Sequence, residues 1–361
     1  MISNLLSFAS VMSTIGAIAL ALIVLLVMIT VHEFGHYIAG KIFGFGITEF
    51  AIGFGPKIYS KDLKNGEKFS IRCLPLGGFC SFVGEDEDAD APNAFNNKKP
   101  WQRIIVLISG ALMNYILALI IITLTFGFYG QTKFYVKEMH ESVTVGEYTL
   151  CQDDIILKLN GKNIYMVTDI MSALKGKSTG ETITARVIRD GETKDIKITL
   201  FGDGDFSNVE DTTPVLIALG VNSLYGTESP VRVGFFQTIG NSFEYSFKIA
   251  GTIFTVLGQL LTGALGLKSI GGTITTIGVT ANAIKTGGLL NLLTIASYIG
   301  VNLAVFNLLP IPALDGSRVV FTLIEWIRKK PINRKTEGVI HFVGLIALMS
   351  FALLVDLLQL F

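Results

Sequence analysis

The chain has 361 residues, half of them hydrophobic and 16% charged, with 29 basic and 29 acidic side chains and no formal net charge. A mean hydropathy of +0.56 excludes an ordinary soluble globular domain, and without a basic excess nothing in the composition attracts nucleic acid. The fold class expected is a polytopic α-helical membrane protein.

A bilayer crossing takes about 20 apolar residues, and four stretches are long enough. The chain divides accordingly into a first transmembrane helix over 1–38, a cytoplasmic-side β-hairpin region and linker over 39–103, and a second transmembrane helix over 104–129. An extracytoplasmic domain over 130–230 and an interfacial amphipathic region over 231–285 follow. A third span over 286–317, a cytoplasmic loop over 318–337 and a fourth span over 338–361 complete it. Residues 1–14 carry no Lys or Arg, so no cleaved signal peptide is expected and the first helix stays in the mature protein.

The first span ends in "ITVHEFGHYIAG". His32 and His36, four residues apart, share a helix face and can grip one ion, while Glu33 beside them can handle a water proton. This is the H-E-x-x-H pattern. A zinc ion held by two imidazoles and a third ligand keeps one open position, where it lowers the pKa of water to about 7 and polarises a peptide carbonyl. Glu33 is then the general base. Ionisable groups within a span are costly and point to function.

In 39–103, "TEFAIGFGPKIYS" and "EKFSIRCLPLGGF" are β-prone runs joined by the polar "KDLKNG". They predict a small sheet with an edge free to pair with an unwound substrate. The acidic run at 85–90, "EDEDAD", reads as a solvated cytoplasmic linker. Within 130–230, "ETITARVIRDGETKDIKITL" predicts a hairpin turning at Asp190-Gly191, and "TDIMSALKG" a short helix. In 231–265, Glu244 and Lys248 sit at a spacing that pairs on a helix, which favours an interfacial amphipathic helix over a fifth span.

The third ligand comes from "VNLAVFNLLPIPALDGSRVV", where Asp315 follows a Pro-x-Pro break in an apolar setting. Irregular backbone at membrane depth belongs where it lines a protein cavity. Asn302 and Asn307, on the same span, either bind the exposed backbone of a substrate or bond a neighbouring helix. Basic residues concentrate in 39–103 and 318–337, so both segments are expected in the cytoplasm, with both termini and 130–285 outside. Cys73, Cys80 and Cys151 form no expected disulfide. His140 and His341, lacking partners at ligand spacing, read as non-catalytic.

The two signatures together resemble the site-2 protease family of intramembrane zinc metalloproteases, of the bacterial regulator of sigma-E protease type. "HEFGHYIAGKIFGFGITEFAIGFGPKIYS" is similar to its active-site helix and membrane-associated β-hairpin, "WQRIIVLISGALMNYILAL" to its second span, and "NLLPIPALDGSR" to its N-x-x-P-x-P-x-L-D-G signature. Ser317 stands where many members have a second glycine, and Thr273 where the family commonly has proline. The resemblance implies zinc (Zn2+) on His32, His36 and Asp315, with Glu33 as base. It implies a location in the bacterial inner membrane and cleavage of transmembrane segments, such as those of anti-sigma factors or remnant signal peptides. Residues 130–230 resemble one PDZ-like domain, acting either as a steric filter or as a peptide binder. A catalytically silent adaptor would lack a ligand, yet all four positions are filled. A transporter would show internal repeats that this chain lacks.

Overall fold

The structure is a computed structural model that describes residues 2–85, 89–141, 143, 146, 148–201, 213–227, 230–267 and 271–360. The chain divides into two compact units, Met1–Leu124 with Ser242–Phe361, and Thr125–Asn241.

The first unit is built on long apolar helices. α1 (Ile2–Ile42) and α2 (Pro100–Phe128), the latter opening on a proline that has no amide to leave unpaired, are joined through two strands. Met28 of α1 packs against Ala296 and Ile299 of α6 (Thr273–Asn307), with Leu117 and Ile121 of α2 alongside. Helix α7 (Asp315–Arg328) and α8 (Arg334–Leu360) complete it. Four described helices are long and apolar enough to cross a membrane: Ser13–Ile42, Pro100–Phe128, Ile274–Asn307 and Arg334–Gln359. The expectation of a polytopic membrane protein with about four spans holds. Charges between helices are paired: buried Arg103 of α2 meets Glu325 of α7 at 2.6 Å, and Arg334 of α8 meets the same carboxylate at 3.1 Å.

The strands β1 (Ile47–Asp62) and β2 (Lys68–Phe82) do more than form a simple hairpin. Each bends, so residues 49–52 pair on one side with 78–81 and on the other with 68–71, while 59–62 pair with 68–71 in turn. The outermost segments are therefore 78–82 and 59–62. Half-buried Glu49 ties the layers, accepting from Ser70 (2.5 Å), Arg72 (2.9 Å) and Lys57 (3.2 Å). Burial alone would raise its carboxyl, but these three donors hold it down at about 2. Phe45, Ile47 and Phe82 then bury against Ala39 of α1 and Val106 and Leu107 of α2, which docks the sheet at the C-terminal end of α1 and the N-terminal end of α2.

Three segments differ from the sequence reading. The third long helix begins at Thr273, well before residue 286, although Gly288 (φ 55°, ψ −138°) kinks it. Asn291 closes the kink by donating to Ala283 O (3.2 Å), and Asp356 of α8 caps the helix start, accepting from the amides of Ile274 and Thr275 at 3.2 and 3.3 Å. The connection over 318–337 is mostly helix, because α7 continues to Arg328 and stops where Lys329 turns left-handed (φ 54°). Glu85 is no solvated linker residue, since it ion-pairs with Arg318 and accepts from the Phe82 amide at 3.2 Å. Residues 86–88 of the acidic run and 268–270, ahead of Thr273, lie outside the described residues.

Helix α5 (Phe235–Thr262) shows the expected pairing of Lys248 with Glu244, at 3.3 Å, and is not among the four candidate spans. The second unit holds a six-stranded sheet in the order β7-β6-β4-β3-β8, with β5 on β4. These strands are β3 (Phe134–Met139), β4 (Ile155–Leu159), β5 (Lys162–Asn163), β6 (Thr182–Arg189), β7 (Glu192–Thr199) and β8 (Val221–Gly226). The turn between β6 and β7 falls at Asp190 (φ 56°) and Gly191 (φ 79°), both on the positive side that a tight hairpin demands. The helix α3 (Val167–Leu174) lies where its sequence placed it, and α4 (Thr213–Leu219) adds to the core of Ile156, Leu159, Ile170, Val187 and Leu219.

Candidate metal centre

The last turns of α1 bring His32 and His36 to one face, both buried. His36 Nδ1 lies 2.8 Å from the carbonyl of Val106 on α2. A carbonyl only accepts, so Nδ1 carries the proton and Nε2 keeps its lone pair for a cation. Asp315 enters from the first residue of α7, directly after the Pro310–Leu314 turn. Its Oδ2 is 2.9 Å from His32 Nε2 and 3.3 Å from His36 Nε2, and the two imidazole nitrogens are 3.2 Å apart.

A tetrahedral ion with bonds of about 2.0–2.1 Å needs ligand atoms about 3.3 Å from one another. The three donors sit at that spacing. Two imidazoles and one carboxylate are a donor set zinc takes with a fourth position left open. Glu33, one residue beyond His32, is half-buried, and its Oε2 accepts the amide of Cys80 on β2 at 3.0 Å. The Asn307 amide group approaches His32 Nδ1 at 3.4 Å. Asn302 is half-buried, and no hydrogen bond from its side chain is seen among the described residues.

The profile of peptidase family M50 matches residues 20–351. This chain belongs to peptidase family M50. It is thus a member of the site-2 protease family, as its motifs imply, a zinc metalloprotease and a multi-pass membrane protein. The zinc metalloprotease RasP of Bacillus licheniformis is 30% identical to it over 412 residues, spanning 90% of this chain and 94% of the relative. The regulator of sigma-W protease RasP of Bacillus subtilis is 29% identical, with 90% and 93% covered. A Fusobacterium nucleatum protein assigned as a zinc metalloprotease is 32% identical over 342 residues, covering 93% and 96%.

Three contributors to this M50 site escape the motifs. Val106 offers only a backbone carbonyl, and Cys80 only a backbone amide, so neither side chain signals a role. Gly110 on α2 lies so close to both imidazoles that a β-carbon there would be 2.8 Å from His32 Cε1. The adjacent small residues Ser109-Gly110 in an otherwise bulky apolar helix were the available signal of close helix approach.

Proposed function

We propose that this M50 peptidase is an intramembrane endopeptidase of the bacterial inner membrane. Its substrates are transmembrane segments of other proteins, with anti-sigma factors and remnant signal peptides as the class. The observation that supports it most is the convergence of two imidazoles, one carboxylate and a second, adjacent carboxylate at the end of an apolar span. A relative named as a regulator of sigma-W protease fits the same class of substrate.

In this reading His32, His36 and Asp315 hold the zinc. When bound, zinc supplies Lewis acidity toward the scissile carbonyl and acidifies water. Glu33 takes a proton from the attacking water and returns it to the amide nitrogen as the peptide bond breaks. The Cys80 amide keeps the Glu33 carboxylate turned toward the sheet. A transmembrane helix hides its carbonyls in its own hydrogen bonds, so the substrate must be locally extended before attack. An extended substrate strand pairs with the edge at 78–82 by displacing Glu33 and Glu85 from the Cys80 and Phe82 amides, and Asn302 and Asn307 take up freed backbone groups. The second unit acts as a PDZ-like steric filter that turns away large folded ectodomains. Both termini and this unit face outside, and the basic 39–103 and 318–337 segments face the cytoplasm.

Replacing Glu33 by Gln removes the base and leaves the metal donors, so cleavage should be lost with zinc retained. Asp315→Ala should lose both. Metal analysis of the purified variants beside a cleavage assay decides it, and residual proteolysis by the Glu33 variant overturns the assignment.

A further inference from the structure

Asp315 is delivered by an unusual loop. Pro310 and Pro312 have no amide hydrogen, and Ala313 is held at φ +80°, a value that disfavours any residue with a β-carbon. The remaining donors can be accounted for one by one. The amides of Leu308, Leu309, Ile311 and Leu314 bond to Val305, Phe306, Leu309 and Ile311, all within the helix end and the loop itself. The amide of Ala313 instead leaves the loop and donates to His341 Nδ1 on α8, at 3.1 Å.

An amide hydrogen can only be donated, so Nδ1 is the acceptor and the ring proton sits on Nε2. That nitrogen faces Glu337 at 3.9 Å, and Glu337 is paired with Arg334 at 2.8 Å. The ring packs edge-on to Phe321 of α7, with centroids 5.6 Å apart. One turn along α8, Gly344 leaves a gap for Pro312: a β-carbon at Gly344 would overlap the proline ring and lie 2.7 Å from its carbonyl oxygen. Helix α8 therefore presents an acceptor at 341 and a recess at 344 to the two residues preceding Leu314-Asp315. His341 and Asp315 also line the same cavity, of about 560 Å³.

We propose that His341 is a positioning residue for the metal centre, holding Ala313 in its left-handed conformation so that Asp315 meets the two imidazoles at ligand distance. It touches neither metal nor substrate. The inference rests on Asp315 being a zinc ligand. Groups that orient metal ligands from behind are commonly worth 10–100-fold in metal affinity.

Two substitutions separate the hydrogen bond from mere packing. His341→Phe keeps a ring against Phe321 and removes the acceptor, whereas His341→Asn keeps an acceptor near the Nδ1 position and removes the ring. Zinc affinity of the purified full-length protein, measured by chelator competition, should fall about 10-fold or more in the Phe variant and stay near the unaltered value in the Asn variant. A packing role predicts the reverse order and overturns the proposal, as does unaltered affinity in the Phe variant. Should neither variant fold, Gly344→Ala carries the test: it should displace Pro312 and weaken zinc, and unaltered affinity refutes the inference. Asp315→Ala is measured alongside. If it retains zinc, the ligand assignment itself fails, whereas its loss of zinc beside a tightly binding His341→Phe variant isolates the failure to His341.

Discussion

Gly110 occupies a helix interior, where glycine costs about 1 kcal/mol relative to alanine. Its place against the imidazoles is the reason it is needed there, since a β-carbon would stand 2.7 Å from His36 Cε1. Gly110→Ala should thus favour the helix and harm the centre, by pushing His36 away from the Val106 carbonyl that orients it. Zinc content of the purified variant should drop with activity while the helical signal is kept. A variant that binds zinc normally would show that α1 and α2 can part enough to admit a methyl group. The contrast with Asn307 is instructive: a residue expected either to serve the substrate or to bond a neighbouring helix lies 3.4 Å from His32 Nδ1, where its carboxamide can orient that candidate ligand.

Helix α5 carries its polarity inside out. In α5 the phenylalanines at 235, 236, 243, 247 and 254 are exposed, whereas Thr238, Ser242 and Ser246 are buried. Water would favour the opposite arrangement, and an apolar solvent favours this one. The buried hydroxyls are used: Ser246 meets the Tyr115 hydroxyl of α2 at 2.8 Å. On the proposed reading, the sheet edge at 78–82 takes up substrate as extended backbone. Helix-breaking residues near a substrate's scissile bond should therefore speed cleavage, and replacing Gly or Pro there by Leu should slow it, because lipid cannot replace the hydrogen bonds that unwinding gives up. Cleavage rates across such a Leu series test this. A flat series would mean that unwinding is not limiting and that the sheet only packs.

At the scale of the whole molecule, none of the candidate catalytic or ligand residues belongs to the second unit. Its two ends meet in an antiparallel bridge, Gln131 with Val231, bonded both ways at 2.8 and 2.9 Å. Removing residues 132–230 and joining the ends with a short flexible linker should therefore leave zinc content intact. A filter predicts that this shortened protein cleaves substrates with bulky ectodomains that the full chain refuses. If it instead fails on substrates already trimmed, the unit serves recognition or folding, and the filter reading falls.

The sequence alone determined the existence of the four long apolar helices, the Asp190-Gly191 hairpin, the α3 helix and the three candidate donors His32, His36 and Asp315 that the structure brings together. Each rests on a local rule: apolar length, turn chemistry, or the four-residue helical repeat joined to a second motif. What needed the tertiary structure was every role filled from a distance in sequence by backbone, by a missing side chain or by an unmatched helix end. The Val106 carbonyl and Cys80 amide exist at every residue and gain meaning only from what faces them. The early start of α6 depends on Asp356 reaching its first amides from another helix. The sheet's double pairing depends on where β1 and β2 bend. His341 has only Glu337 at a local spacing, and it gains the Ala313 amide because α8 passes the loop before Asp315. Local propensity carries no information about such meetings, because they are decided by which surfaces the packed helices bring within hydrogen-bond reach.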